Sequence, residues 1–142
     1  MENEIWKPIT KLVTKTGEFY PVGYDVSNYG RLRSYRQRYG RGKKKMISTP
    51  TLLNGRPDPV GYTLDLLYDA NSQRRNFRRH VLVMQTFVGI PESGKMVCHY
   101  DDVKTNNNLS NLRYGTYSEN EADRKRNKKI KESLISADAL FS

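Results

Sequence analysis

The sequence predicts an α+β fold, a small antiparallel-strand module followed by a strand–loop–strand–helix unit. Three observations predict it. Short apolar runs bounded by Gly, Pro, Asn and Asp recur through the first half, as strands and turns do. A helical apolar pattern begins at His80. Beyond it a polar loop rich in Asn and Asp separates two short strand-like runs, and a strongly charged helix follows.

Taken in order, Glu18 to Asp25 mixes aromatics with turn formers, and Val26-Ser-Asn-Tyr-Gly30 supplies an Asn and a Gly suited to a tight turn. Arg31-Leu-Arg-Ser-Tyr35 then alternates like a half-buried strand, and Arg36 to Lys45 reads as a basic loop or wide hairpin. Lys45-Met-Ile-Ser and Gly61 to Tyr68 read as strands joined by the turn-rich Asn54-Gly-Arg-Pro-Asp-Pro, and Arg75 to Arg79 as a partner strand. Val81, Leu82, Met84, Phe87 and Val88 are expected on one face of a short helix that Gly89 and Pro91 end. Lys95 to His99 is a short strand, Tyr100 to Ser110 a loop, and Asn111 to Thr116 a return strand. Ser118 is expected to open the last helix, with Glu121 three residues on completing a capping box. Ser133 to Ser142 has modest apolar content and reads as a further helical turn or a frayed end.

With 142 residues the chain fits one ordinary domain, or a core with a small appended module. No run approaches the roughly 18 apolar residues that span a bilayer. The N-terminus lacks the basic-then-apolar layout of a signal peptide, so an intracellular protein is expected. A single cysteine, Cys98, excludes an internal disulfide framework and a multi-cysteine zinc site. Charge is the strongest bulk clue. Twenty-five Lys and Arg against fifteen Asp and Glu give a formal charge of +10, which favours polyanions through counterion release. Val26 to Pro57 contains no acid but holds Arg31, Arg33, Arg36, Arg38, Arg41, Lys43, Lys44, Lys45 and Arg56, interleaved with Tyr29, Tyr35 and Tyr39. A second basic cluster comprises Arg124, Lys125, Arg126, Lys128, Lys129 and Lys131. Two separated basic surfaces suit a protein that lies along a duplex.

The ordered set His99, Asp102, Asn106-Asn-Asn108, Asn111-Leu-Arg113, Thr116 and Glu119-Asn120 resembles the ββα-metal finger of HNH nucleases, especially the phage-type homing endonucleases. His80 to Gly89 resembles the helix that precedes that finger. Glu4-Ile-Trp-Lys-Pro-Ile9 with Tyr24 to Arg31 resembles the DNA-binding module commonly fused ahead of it. Together the resemblances cover most of positions 3–127. They divide the chain into an N-terminal DNA-binding module over 1–50, an HNH core over 51–131 and a tail over 132–142.

The resemblance implies a metal-dependent DNA endonuclease in which the finger meets the minor groove and His99 faces the scissile phosphate. An imidazole suits the role of base, being largely neutral near pH 7. Asn111 belongs to the active-site motif but is assigned a structural role, its amide tying the loop together. Asn120 matches the residue that ligates the single divalent metal, Mg²⁺ or Mn²⁺, as a hard oxygen donor. The family often places an acidic or imidazole ligand just before the histidine, and here that position is Cys98. Either Cys98 ligates a softer or more tolerant metal, or it is a buried strand residue and another donor substitutes. Asp123, one turn from Asn120, is the best substitute; Asp101 and Asp102 are read as bracing His99. Arg113 is left to hold phosphate or to pair with an acid of the finger, and His80 is read as structural. Duplex DNA is the expected partner, contacted by the residues of the 31–45 region, Arg113, Arg124, Lys125 and Lys128. A monomer or weak dimer is expected, with no small-molecule substrate and no membrane association, in the cytoplasm of a phage-infected bacterial host. The alternative is a DNA-binding protein derived from such a nuclease without catalysis.

Overall fold

The computed structural model describes residues 3–37 and 45–141. The N-terminal part is an antiparallel sheet of β1 (Trp6–Pro8), β4 (Tyr24–Ser27), β5 (Leu32–Arg36) and β6 (Met46–Leu53), in the order β1-β4-β5-β6, with the hairpin β2 (Leu12–Thr14) and β3 (Gly17–Phe19) inserted. The expected alternation of β5 is real: Leu32 and Ser34 point inward while Arg33 and Tyr35 stay half-exposed. The strand expected from Lys45 is longer than its apolar start suggests and runs on to Leu53, because it pairs along β5 across a register shift between Ser34 and Arg36. The turn Ser27 to Gly30 between β4 and β5 is closed by Gly30 N–H donating to Ser27 O at 2.9 Å.

A second sheet, β7 (Arg56–Pro57), β8 (Thr63–Tyr68) and β9 (Arg74–Arg78), leads directly into α1 (Arg79–Phe87). This helix is the hub of the molecule. It packs against β1, β4, β8 and β9 and against both strands of the finger. Leu82, Val83 and Met84 lie in the same core as Leu12, Phe19, Val26, Leu32, Leu67, Phe77 and Leu112. The expected face holds for Leu82, Met84 and Phe87; Val83 joins it as a buried residue, whereas Val88, the C-cap beyond the helix, is 61% exposed. Gln85 bonds the β2 backbone twice, accepting from Val13 N–H at 2.8 Å and donating to Val13 O at 3.0 Å.

The C-terminal unit is β10 (Met96–His99), a loop, a 3-10 turn at Leu109–Asn111, β11 (Leu112–Gly115) and α2 (Tyr117–Phe141). The segment expected as a tail continues α2, which is 25 residues long. Its capping box is not Ser118 with Glu121. Thr116 Oγ1 accepts from Glu119 N–H at 3.2 Å and Glu119 Oε1 accepts from Thr116 N–H at 3.1 Å, so the helix begins one residue earlier. Glu121 instead pairs with Arg124. No helix among the described residues is long and apolar enough to cross a membrane.

Candidate active site

His99 is the last residue of β10, paired with Leu112 across the hairpin, and it is buried. A tight turn follows, in which Asp102 takes a left-handed backbone with φ 59° and its N–H donates to His99 O at 2.9 Å. An Asp tolerates that conformation better than most residues. The His99 Nε2 atom lies 3.1 Å from Asn107 Oδ1, while Asn107 Nδ2 faces Thr105 O at 3.5 Å. With the amide so oriented, Asn107 Oδ1 accepts a hydrogen bond from the Nε2–H, which leaves Nδ1 as the basic nitrogen. Nδ1 has no hydrogen-bond partner among the described residues.

The ring stands in aromatic company. His80, from the first turn of α1, meets it edge-on at 5.2 Å, and Tyr62 lies 5.0 Å from His80 and 5.9 Å from His99. Arg78 and Lys104 cover the Tyr62 ring at 4.3 and 5.1 Å. Burial holds His99 below its ordinary value, although Asn107, Asp101 and Asp102 oppose this. Burial and the neighbouring His99 push His80 down to about 3. Both imidazoles are neutral at pH 7.

Asn111 does what a loop tie should. Its amide donates to Asp101 Oδ1 at 2.9 Å and to Asn106 O at 3.0 Å, and its Oδ1 accepts from Asp101 N–H at 3.1 Å. Asp101 therefore braces the loop through Asn111 and Asn106 rather than by contacting His99.

The expected metal donors divide sharply. Asn120, in the first turn of α2, is half-buried, and its amide bonds no described residue, leaving a hard oxygen free. Asp123 is buried and both its oxygens are taken, by Arg113 at 2.7 Å and Arg126 at 2.9 Å. Of the two readings of Arg113, the pairing with an acid of the finger is the one seen, through Asp123. Cys98 is fully buried in β10, and burial pushes its thiol up, away from the thiolate that binds metals. Among the described residues no group of three or more His, Cys, Asp or Glu is disposed to hold a metal ion. Of the expected donors Asn120, Cys98 and Asp123, Asn120 is the one whose side-chain oxygen has no partner among the described residues.

The basic residues are less free than the sequence suggests. Arg31 forms a two-pronged pair with Glu4, and Arg33 pairs with Asp25 at 2.9 Å while lying 4.1 Å over the Trp6 ring. A stretch free of acids in sequence is not free of them in space. Arg36 donates to Val22 O and covers the Tyr68 ring. Arg124 pairs with Glu121, whereas Lys45, Lys125 and Lys128 are exposed and pair with no described residue. Arg38, Arg41, Lys43 and Lys44 lie outside the described residues.

Residues 71–122 match the family model described as HNH endonuclease, and residues 4–54 match the NUMOD4 motif. Residues 71–122 are thus an HNH endonuclease domain by that match, preceded by a NUMOD4 motif. A solved structure reported as "DNA binding and cleavage by the HNH homing endonuclease I-HmuI" superposes with a TM-score of 0.59 at 26% identity, over 94% of this chain. The chain spans 66% of that homing endonuclease's length. No curated protein matches the sequence. The HNH match contains His80, His99, Asn107, Asn111 and Asn120.

Sequence reasoning gave no role to Asn107, which fixes the His99 ring, or to the buried pair Arg79–Asp65 beneath it. Asp65, an acid inside an otherwise apolar strand, was the signal for the second.

Proposed function

We propose that the chain is a metal-dependent, homing-type DNA endonuclease that nicks duplex DNA, with His99 as general base. One observation supports the reading: His99 stands buried at the end of β10 with Nε2 held by Asn107 Oδ1 at 3.1 Å, which leaves Nδ1 as the basic nitrogen. In the hydrolysis, His99 Nδ1 takes a proton from water, the oxygen attacks phosphorus, and the bond to the leaving sugar oxygen breaks, that oxygen keeping the electron pair and taking a proton from solvent. A divalent cation anchored by Asn120 would stabilise charge developing on the phosphate. Mg²⁺ and Mn²⁺ are the candidates, since HNH nucleases generally use a divalent metal and a carboxamide is a hard donor. Lys45, Lys125 and Lys128 would hold the DNA backbone, and residues 1–50 would form the DNA-binding module of a monomer or weak dimer.

Plasmid nicking with Mg²⁺, with Mn²⁺ and with EDTA tests the proposal. His99→Ala should cut about 10²–10⁴-fold more slowly with DNA affinity unchanged. Near-normal cleavage by that variant would remove His99 from the chemistry.

A second reading, a DNA-binding protein without catalysis, is favoured by the buried, protonated Cys98 at the position where the family often has a harder ligand. Duplex binding with no metal-dependent nicking would establish it.

A further inference from the structure

The turn of the N-terminal module touches the loop that holds His99. Leu109 N–H donates to Asn28 O at 2.8 Å. Gly30, at φ +81°, lies so close to Asn107 that an added Cβ would stand 2.5 Å from the Asn107 carbonyl carbon and oxygen. The turn is itself rigid. Asn28 is buried, accepting from Ile5 N–H at 2.6 Å and donating to Asn3 O at 3.2 Å. Gly30 O accepts from the buried Arg79 guanidinium at 3.1 Å.

We propose that the Asn28–Gly30 turn is a positioning element for His99, acting through Asn107. The turn fixes the Asn107 backbone by contact and, through Asn28 O, the start of the 3-10 turn two residues later. Asn107 Oδ1 then holds Nε2–H and so selects the ring orientation and the tautomer that leaves Nδ1 available. Only a residue without Cβ permits the contact, and only a buried, hydrogen-bonded neighbour keeps it in place. The DNA-binding module thereby completes the histidine's setting as well as gripping the duplex. The proposal rests on His99 being the base, but its geometry can be read without cleavage.

The test is ¹⁵N–¹H NMR of the His99 imidazole in the whole chain, beside kcat and KM for nicking. Wild type should show Nε2 protonated and Nδ1 bare. Asn107→Leu should mix the tautomers, and Asn107→Asp, which keeps an acceptor, should restore the wild-type pattern. Gly30→Ala should move the imidazole signals and lower kcat by about 10²-fold at unchanged KM, as small misplacements of reacting groups do. Leu109→Pro keeps the test decisive if Gly30→Ala fails to fold. Pro is accepted at the first position of a helical turn; it removes the N–H bonded to Asn28 O together with the packing of the Leu109 side chain against the core, and Leu109→Ala, which loses the packing but keeps the N–H, is the control. Unmoved signals in the folded turn variants, with Asn107→Leu shifted, would overturn the role of the turn. Unmoved signals in Asn107→Leu would overturn the relay. If the chain does not cut DNA at all, the tautomer measurement still decides between these outcomes.

Discussion

Two buried imidazoles in contact make a pH-sensitive pair. His80 is the more constrained: burial, His99 and Arg78 lower its pKa to about 3, opposed only by Asp58. A histidine neutral in the fold but chargeable when unfolded binds fewer protons in the native state between about 3 and its ordinary 6.5. Stability therefore rises with pH across that window, is fully present above it and is lost as pH falls, at up to about 1.4 kcal/mol per pH unit for such a group. Thermal melts between pH 7 and pH 4.5 should show Tm falling, and His80→Phe should flatten the slope; an unchanged slope would acquit His80. With His99 as the base, as proposed, its lowered pKa should carry activity to more acidic pH than an ordinary histidine would before the acid limb is reached. The candidate base was legible in the sequence because its company, Asn111 and Asn120, recurs at fixed spacing. Asn107 was hidden among three consecutive asparagines, since spacing does not say which amide meets the ring.

The β10–β11 hairpin shows what an element adds to its residues. Cys98 and Arg113 are direct cross-strand partners, so their side chains share one face. Arg113 is held by Asp123, yet its Nε is buried with no partner. The hairpin thus offers a donor on the face that Cys98 occupies. Cys98→Asp should accordingly cost less stability than an ordinary buried acid, and should raise Mg²⁺-dependent nicking if position 98 touches the metal. Thermal denaturation alongside nicking separates the outcomes. A loss of more than about 3 kcal/mol would mean that Arg113 does not pair with the new carboxylate. Element types and order were readable from periodicity and turn residues. Boundaries were not, where tertiary pairing decided them: β6 extends because β5 is there to pair with, and α2 starts one residue early because Thr116 and Glu119 cap each other. The inward face of α1 was legible at Leu82, Met84 and Phe87 and departed from expectation at Val83, which is buried, and at Val88, which lies beyond the helix.

Across the whole molecule, α1 and one buried ion pair join what the sequence divides. Arg79 bonds both oxygens of Asp65 at 2.7 Å, Gly30 O at 3.1 Å and Leu53 O at 3.0 Å, tying the nuclease core to the N-terminal sheet. Removing one partner of such a pair leaves a buried charge, so Arg79→Leu should destabilise by about 3–5 kcal/mol, with part recovered in Arg79→Leu/Asp65→Leu. Urea unfolding measures both, and a loss near zero would show that the pair is not buried in solution. None of this joint was visible in the module boundaries, because long-range partners leave no periodic trace. The joint also sets an order of assembly. The finger closes on local contacts, β10 to β11, whereas the Asn28–Leu109 bond and the Gly30–Asn107 contact close a loop spanning most of the two modules. Long loops close after short ones. A refolding chain is therefore expected to acquire its hairpin before the Asn28–Gly30 turn seats on the loop beside His99.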